Sequence, residues 1–164
     1  IRFIMFPLKK YKYKIPTGND LGAFGVTRKH DMHTGVDLYC KEGSECFSME
    51  AGIVVSVEFF TGHSVNMPWW NDTQAIAIRG ASGVINYGEV RAYNNIKVGD
   101  TVEEGEIIGW VIPVLKTDKG KVPSTTMLHV ELYNDYMGEW MLWEVGVKQP
   151  KNLLNPTSLL QNAL

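Results

Sequence analysis

The stretch "TTMLHVELY", residues 125–133, has the alternating pattern of a β-strand. Successive side chains on a strand point to opposite faces. One face carries residues that are typical of a core: Leu128, Val130 and Leu132. The other face carries functional groups: Met127, His129, Glu131 and Tyr133. A histidine and a carboxylate on one face, two residues apart, indicate that this strand does more than build a core.

Short apolar runs separated by glycines continue through most of the chain. They predict strands at 52–60, 74–80, 83–90, 106–115 and 127–133, with a hairpin-rich segment at 94–111. Recurring strands without a helical period favour an all-β fold, a compact antiparallel sheet in a sandwich or barrel. Near the end, "NPTSLL" predicts a short C-terminal helix that Asn155 caps, with Pro156 at its first position.

Composition limits the classes of protein that remain. The chain has 164 residues, of which 45% are hydrophobic and 21% charged, so it suits one globular domain. Its net charge of -2 and pI near 6.1 give no reason to expect nucleic-acid binding. No apolar run approaches the ~18 residues that a transmembrane helix needs.

Two cysteines, Cys40 and Cys46, flank the turn-forming segment "KEGSE". A disulfide requires their Cα atoms to lie within about 7 Å, which a tight turn at Gly43 would allow. We favour the alternative, two small buried thiols at strand positions. The spacing does not match a zinc ribbon, because no second cysteine pair follows.

Three residues form a candidate metal set. His33 and Asp37 in "HTGVDL" would lie about 13 Å apart on a straight strand, at ~3.3 Å per residue, but a bend at Gly35 would bring both to one point. With His129 they offer two imidazoles and one carboxylate, which suit zinc and leave a position for water. Glu131 is placed to orient His129. The alternative is that these side chains only hydrogen-bond to one another in a β core.

From residue 22 onward the sequence resembles the lysostaphin-type zinc endopeptidases, which cut peptide cross-bridges in bacterial cell walls. The segment 22–58 contains an F-G-x-x-R turn, H-x-x-x-D and a G-x-V strand, and 85–111 contains a tyrosine strand followed by the V-G-x-x-V-x-x-G-x-x-I-G hairpin. "MLHVELY" (127–133) is similar to the closing H-x-H-x-E strand, and "NLLNPTSLL" (152–160) to the tail. The resemblance implies a duplicated hybrid β motif with a groove across one sheet.

The same resemblance implies His33, Asp37 and His129 as the zinc ligands. Two departures affect the expected activity. The first histidine of H-x-H is replaced by Met127, and a histidine that follows the central tyrosine by two residues is replaced by Glu89. A thioether neither transfers a proton nor donates a hydrogen bond, whereas Glu89 can serve as a base. Losing such groups costs roughly 10²- to 10⁴-fold each, so we expect weak hydrolysis.

Other residues are candidates for the walls of the groove. The loops 61–73 and 117–126 are polar and contain proline, and loops beside a rigid sheet commonly carry recognition. Substrate-facing candidates carry aromatic, imidazole or thioether groups: Tyr87, Trp69, Trp70, His63 and Met127. Each has a plainer interpretation, as a packing residue or a surface histidine.

Three functions are consistent with these features. One is a zinc peptidase that acts weakly on peptide or cell-wall glycopeptide, with Glu89 as base. Another is a non-catalytic, zinc-stabilised module that binds peptide or glycan. A third is a sugar-phosphotransferase carrier domain of similar fold, which would need a phosphoryl-accepting histidine. The resemblance further implies an N-terminal extension at 1–21, a peptidase-like domain at 22–164 and an extracytoplasmic or secreted location.

Overall fold

The structure is a computed structural model that describes residues 4–117, 125–136, 138 and 140–164. Within these residues it consists of nine strands, one short 3-10 turn (His63–Val65) and one helix. The strands are β1 (Val36–Tyr39), β2 (Glu45–Phe47), β3 (Gly52–Thr61), β4 (Thr73–Gly80), β5 (Gly83–Ala92), β6 (Thr101–Val102), β7 (Ile107–Val111), β8 (Met127–Tyr133) and β9 (Leu153–Leu154). The helix, α1, spans Thr157–Ala163.

Every strand pairing is antiparallel, and the strands join in one sheet in the order β1-β8-β5-β4-β3-β6. β7 also pairs with β5 and with β2, and β9 pairs with β8. The all-β prediction is therefore confirmed. No helix in the described residues is long and apolar enough to cross a membrane.

The strand predictions differ from the structure mainly at one end. The strand predicted at 106–115 stops at Val111. The physical reason is Pro113, which has no N–H to donate to a ladder. After it, the chain forms only an isolated bridge between Leu115 and Trp70.

The C-terminal helix forms where the sequence predicts it. The side-chain oxygen of Asn155 accepts hydrogen bonds from the backbone N–H (3.0 Å) and hydroxyl (2.6 Å) of Thr157. Pro156 lies at the N-cap, one residue before the helix begins. Leu160 is fully buried against the main core, which explains why so short a helix is stable here.

The sheet buries both faces. One face packs the main core, whose central members include Leu38, Ile85, Tyr87, Leu128 and Val130. The other face packs a smaller cluster that contains Val84, Tyr133, Trp143 and Leu153. Part of the β8 face that carries His129 is therefore flanked by the chain that follows the strand, where Trp143 packs with Tyr133.

Two further sequence features have a place in this architecture. Phe6, Leu8 and Ile15 from the N-terminal segment belong to the main core, while the boundary between residues 21 and 22 stays a prediction. Cys40 and Cys46 are free thiols, so the non-disulfide interpretation agrees with the structure. Burial raises the pKa of Cys40 to about 11 and that of Cys46 further still.

Candidate metal centre and groove

Strand pairing brings two of the three candidate ligands together. Asp37 on β1 lies directly opposite His129 on β8, so their side chains project from the same face of the sheet. His33 reaches them from just before β1. Gly35, between His33 and Asp37, passes so close to β8 that an added Cβ would lie 2.4 Å from the Val130 carbonyl oxygen and 2.8 Å from His129 Nε2. Only glycine allows this approach.

The three ligand atoms form a nearly equilateral triangle. His33 Nε2 lies 3.2 Å from His129 Nδ1 and 3.2 Å from Asp37 Oδ1, and the third edge, from His129 Nδ1 to Asp37 Oδ1, is 2.9 Å. Ligands at about 2.0–2.1 Å from a tetrahedral zinc ion would be about 3.3 Å apart. All three residues are about 95% buried. The triangle therefore has the size and the donor types of a three-residue zinc site.

Hydrogen bonds behind the triangle fix which nitrogen of each ring faces it. His33 Nδ1 lies 2.9 Å from the Ala23 carbonyl oxygen, which can only accept, so this nitrogen carries the proton. His129 Nε2 lies 2.8 Å from Glu131 Oε1 and donates in the same way. When both rings are neutral, their lone pairs therefore converge with the carboxylate oxygen of Asp37. Three acceptors in such contact require a cation or a proton between them.

The electrostatics of the triangle point in the same direction. Burial alone would lower the pKa of His129, but hydrogen bonds to Asp37 and Glu131 outweigh it and raise that pKa well above its usual value. Burial likewise opposes ionisation of Asp37, yet hydrogen bonds from His129 and His33 hold its pKa well below the usual range. The site thus concentrates negative charge that favours a bound positive charge.

Two supporting contacts were not evident from the sequence. Arg28 donates to Asp37 Oδ2 at 3.1 Å and to the Leu21 carbonyl at 3.1 Å, so it pairs with a candidate ligand as well as anchoring its loop. Tyr133 donates a short hydrogen bond to Glu131 Oε2. Because Tyr133 follows Glu131 by two residues on the same strand face, their spacing was the available signal.

Glu89 reaches the same side of the sheet through a β-bulge. Val90 pairs with Gln74 and Gly88 with Ala75, which leaves Glu89 as an extra residue, with φ at 65°. In a regular strand Glu89 would share the core face with Tyr87. The bulge instead lets its side chain line the cavity beside the triangle.

The carboxyl group of Glu89 has an unusual environment. The side chain is half-buried, and its Oε2 is buried without a hydrogen-bond partner among the described residues. Desolvation, reinforced by the negative charge of Asp37, raises the pKa of Glu89 to about 8. Glu89 is not one of the residues whose ligand atoms converge within 4.8 Å. It therefore lines the cavity beside the triangle without being one of the three candidate ligands.

A cavity of about 520 Å³ opens over the triangle. Its floor contains His33, Asp37, Glu89, His129 and Glu131. Most of the described wall is apolar: Met32, Phe60, Met67, Trp70, Val114, Leu115, Met127, Trp140, Met141, Leu142 and Trp143. This volume lies within the usual range of ligand sites, about 300–1,000 Å³.

The structure separates the predicted groove residues into two groups. Met127 and Trp70 line the cavity, whereas Trp69 is 63% exposed and His63 lies exposed in the 3-10 turn, both outside it. Tyr87 is also not a groove residue, which corrects the sequence prediction. It lies opposite Val130 on the core face of the sheet, fully buried, and its hydroxyl accepts a hydrogen bond from the Met49 N–H.

The predicted walls are partly in place. From the 61–73 loop, Thr61, Met67 and Trp70 line the cavity. Of the 117–126 loop, Thr125 lines it, and residues 118–124 lie outside the described part of the chain. A wall that the sequence reasoning missed comes from residues 140–143, after β8. The available signal was the density of tryptophan and methionine in "WMLW".

Residues 31–139 match the sequence model of peptidase family M23. The matched range includes all three members of the triangle and Glu89. No curated protein sequence matches the chain significantly. The match to a peptidase family argues against the carrier-domain interpretation.

Solved structures with a similar fold include three peptidase structures. The antimicrobial peptidase lysostaphin from Staphylococcus simulans has a TM-score of 0.62 and 21% identity over 98% of this chain. The catalytic domain of the same peptidase has a TM-score of 0.55 and 22% identity over 91% of this chain. A zinc-containing peptidase from Vibrio cholerae has a TM-score of 0.54 and 21% identity over 80% of this chain.

The lengths of these chains differ from that of the present one. The present chain covers 36% of the Vibrio cholerae peptidase and 55% of lysostaphin, but 92% of the lysostaphin catalytic domain. It therefore spans about a third to a half of the two longer chains. At these identities the likeness establishes a shared fold.

Proposed function

The chain belongs to peptidase family M23, and on that premise we propose that it is a zinc-binding, cell-wall peptidase-like domain with weak hydrolytic activity. His33, Asp37 and His129 would be the ligands. The observation that carries the proposal is the triangle of ligand atoms with edges of 2.9–3.2 Å at the floor of a cavity. Two imidazoles and one carboxylate suit zinc and leave a fourth position for water or substrate.

A bound zinc ion would supply Lewis acidity, which polarises a carbonyl and lowers the pKa of water toward ~7. The protein's own contribution is to hold the ligands in place. Ala23 fixes the ring of His33, and Glu131, itself held by Tyr133, fixes the ring of His129. Arg28 occupies Asp37 Oδ2, so Oδ1 is the oxygen that faces the triangle.

Glu89 is the proposed base. Its carboxyl group lines the cavity beside the triangle, where it can take a proton from the attacking water and return one to the leaving amine. Met127 lies on the same strand face as His129 and offers neither a proton nor a hydrogen-bond donor. If Glu89 instead stayed ionised, without having taken that proton, it would repel the negative charge that develops on the carbonyl oxygen. These two features support weak rather than strong hydrolysis.

The remaining parts of the proposal rest on the family. The substrate or ligand would be a peptide or a cell-wall glycopeptide, and the location extracytoplasmic or secreted. Residues 22–164 would form the peptidase-like domain and residues 1–21 an extension packed on it.

Metal analysis tests the site first. Purified protein, stripped of metal and titrated with zinc, should bind one ion per chain by calorimetry and elemental analysis. His129→Ala should abolish stoichiometric binding, whereas His63→Ala, which changes an exposed histidine outside the cavity, should not. Near-stoichiometric zinc in the His129→Ala protein would refute the ligand assignment.

A hydrolysis assay tests the activity. Isolated cell walls and synthetic glycine-rich peptides should be cleaved slowly by the zinc-loaded protein, and not measurably by Glu89→Gln. Restoring imidazoles at both positions, in a Glu89→His, Met127→His variant, should increase the rate. Fast turnover by the natural chain would show that the weak-activity part of the proposal is incorrect.

The replacements at positions 89 and 127 also favour a second candidate, a non-catalytic module that binds peptide or glycan through the same cavity. In that case zinc and peptide would bind to the natural chain, which would turn over no substrate. Slow cleavage by the natural chain that Glu89→Gln abolishes would identify the weak peptidase, whereas cleavage that appears only in the Glu89→His, Met127→His variant would identify a binding module built on a retired hydrolase site.

A further inference from the structure

The walls of the cavity and its floor have different chemistry. The ionisable groups of the proposed zinc peptidase lie at the floor, and their polar atoms are largely occupied by one another. Above them the wall is formed mainly by aromatic, methionine and aliphatic side chains. A peptide lying over the triangle would therefore meet a largely apolar lining.

The apolar wall extends to the candidate ligands themselves. The ring of Phe60 lies 5.5 Å from the ring of His129, centre to centre. Phe60 also covers Gly88, where an added Cβ would be 3.0 Å from its ring. Met127 precedes His129 by two residues on the same strand face and is half-buried. A substrate side chain beside the reacting bond would thus contact Phe60 and Met127.

Trp70 is another aromatic group of the cavity lining, and backbone contacts fix its position. It forms an isolated bridge with Leu115, and its backbone N–H donates a hydrogen bond to the Met67 carbonyl oxygen at 3.0 Å. Its neighbour Trp69 packs edge-on against it, at 6.1 Å between ring centres, but points to solvent. Adjacent tryptophans, one inside and one outside the cavity, give a matched pair for mutation.

A run of glycines would leave this wall unused. Glycine has no side chain, so a glycine-only peptide can bury little apolar area against Phe60, Trp70 and Met127. Complete burial of one leucine or phenylalanine side chain would tighten binding by roughly ten- to a hundredfold. A thioether and flat aromatic rings can adapt to side chains of different shape.

We propose that the cavity selects peptides with a bulky apolar side chain next to the bond that lies over the His33–Asp37–His129 triangle, in preference to runs of glycine. The inference rests on the proposed function, since it places the peptide's reacting bond over the candidate metal centre. It adds a substrate class, and it assigns Trp70, Phe60 and Met127 as specificity-determining residues.

Polar groups in the cavity lining define the competing outcome. Arg28 and Asp31 also line the cavity and offer one charge of each sign. Arg28 is already paired with Asp37 at 3.1 Å, so it is less available to a ligand. If these residues governed selection, a peptide with a charged side chain would bind best.

The test compares peptides of one length that differ at a single position. N-acetylated, C-amidated pentapeptides would be used: Gly-Gly-X-Gly-Gly, with X as glycine, leucine, phenylalanine, lysine or glutamate. Calorimetry would measure binding to metal-free and to zinc-loaded protein separately. We expect leucine and phenylalanine to bind about ten- to a hundredfold more tightly than glycine in both forms. Equal affinity for all five, preference for lysine or glutamate, or no binding at millimolar concentration would overturn the proposal.

Variants locate the preference within the cavity. Trp70→Ala should reduce the advantage of leucine over glycine to less than about threefold, whereas Trp69→Ala should retain it. Circular dichroism of both variants controls for folding, and Trp70→Phe, which keeps an aromatic ring, should recover most of the preference. An undiminished preference in folded Trp70→Ala, Phe60→Ala and Met127→Ala proteins would place selection elsewhere and refute the assignment.

Cleavage of the same peptides separates this inference from the proposed function. If the protein binds leucine peptides preferentially but cleaves nothing, the peptidase proposal fails and the selectivity stands. If it cleaves all-glycine and leucine peptides with equal kcat/KM and binds them equally, the peptidase proposal stands and the selectivity fails.

Discussion

The two faces of the central strands bury side chains in different ways. On the core face, Leu128 and Val130 are fully buried and are held by hydrophobic contacts, which have no preferred direction. On the opposite face, His129 and Glu131 are only 5% and 3% exposed. Each nitrogen and oxygen atom of their side chains has a hydrogen-bond partner in the site. Equal burial therefore stabilises the fold on one face and orders a chemical site on the other.

This contrast has consequences for mutation. On the core face, volume decides the outcome, because a deleted methyl group leaves a cavity. On the site face, geometry and charge decide it, because a missing partner leaves a buried polar group unpaired. The two kinds of change should separate in experiments that measure the free energy of unfolding and zinc affinity in the same variants.

The largest expected effect is on the core face. Leu128→Ala should lower the free energy of unfolding by about 2–5 kcal/mol, since Leu128 is completely buried in the main core. Chemical denaturation of the metal-free protein would measure it. As an exposed control, Leu142→Ala should change stability by less than about 0.5 kcal/mol. A comparable loss in both variants would contradict the described core.

The next effect concerns Glu89 and depends on pH. The folded pKa of Glu89, about 8, lies above its unfolded value of 4.5. Its contribution to stability is therefore complete below about pH 4.5 and is lost as the pH rises through 8, because ionisation then favours the unfolded chain. Glu89→Gln replaces the ionisable carboxyl group with an amide and therefore removes this pH-dependent loss of stability. In metal-free protein it should be more stable than the natural chain by about 2–4 kcal/mol at pH 8, and by much less at pH 5.

Denaturation curves between pH 5 and pH 9 measure this difference. The control is Leu128→Ala, whose effect should not follow the same trend, because it removes no ionisable group. A constant difference between Glu89→Gln and the natural chain across this range would show that Glu89 titrates normally.

A smaller effect is expected at Tyr133. Tyr133→Phe removes the hydrogen bond to the buried carboxylate of Glu131 and should cost about 1.5–3 kcal/mol of stability. Tyr13→Phe, at a residue that is 45% exposed, is the matched control and should be nearly neutral. If Tyr133→Phe were as neutral as the control, the two faces would not differ in the way described.

The smallest effect should appear in metal affinity. Glu131→Gln keeps the shape of the side chain but weakens its hold on His129 Nε2, so the zinc dissociation constant should increase by about 10- to 100-fold. Competition with a chromogenic chelator would measure it. The exposed change Glu42→Gln should leave the constant unaltered. Unchanged affinity in Glu131→Gln would show that Glu131 does not orient the ligand.

Local pattern was sufficient for much of the fold. Alternation of apolar and polar residues located the strands at 52–60, 74–80, 83–90 and 127–133, because each strand has one face in a core and period-2 patterning follows directly. Asn155 and Pro156 located the helix start within a residue or two. The H-x-x-x-D spacing, with Gly35 as a bend, indicated that His33 and Asp37 could meet.

Tertiary structure decided what depends on partners distant in sequence. The bulge that redirects Glu89 is defined by its register with β4, and the core position of Tyr87 by its pairing with Val130 on β8. The exposure of Trp69 and the inward position of Trp70 follow from the bridge to Leu115. A sequence pattern reports which residues share a face of one strand. Which faces meet, and across what distance, is determined by pairing between strands that lie far apart in the chain.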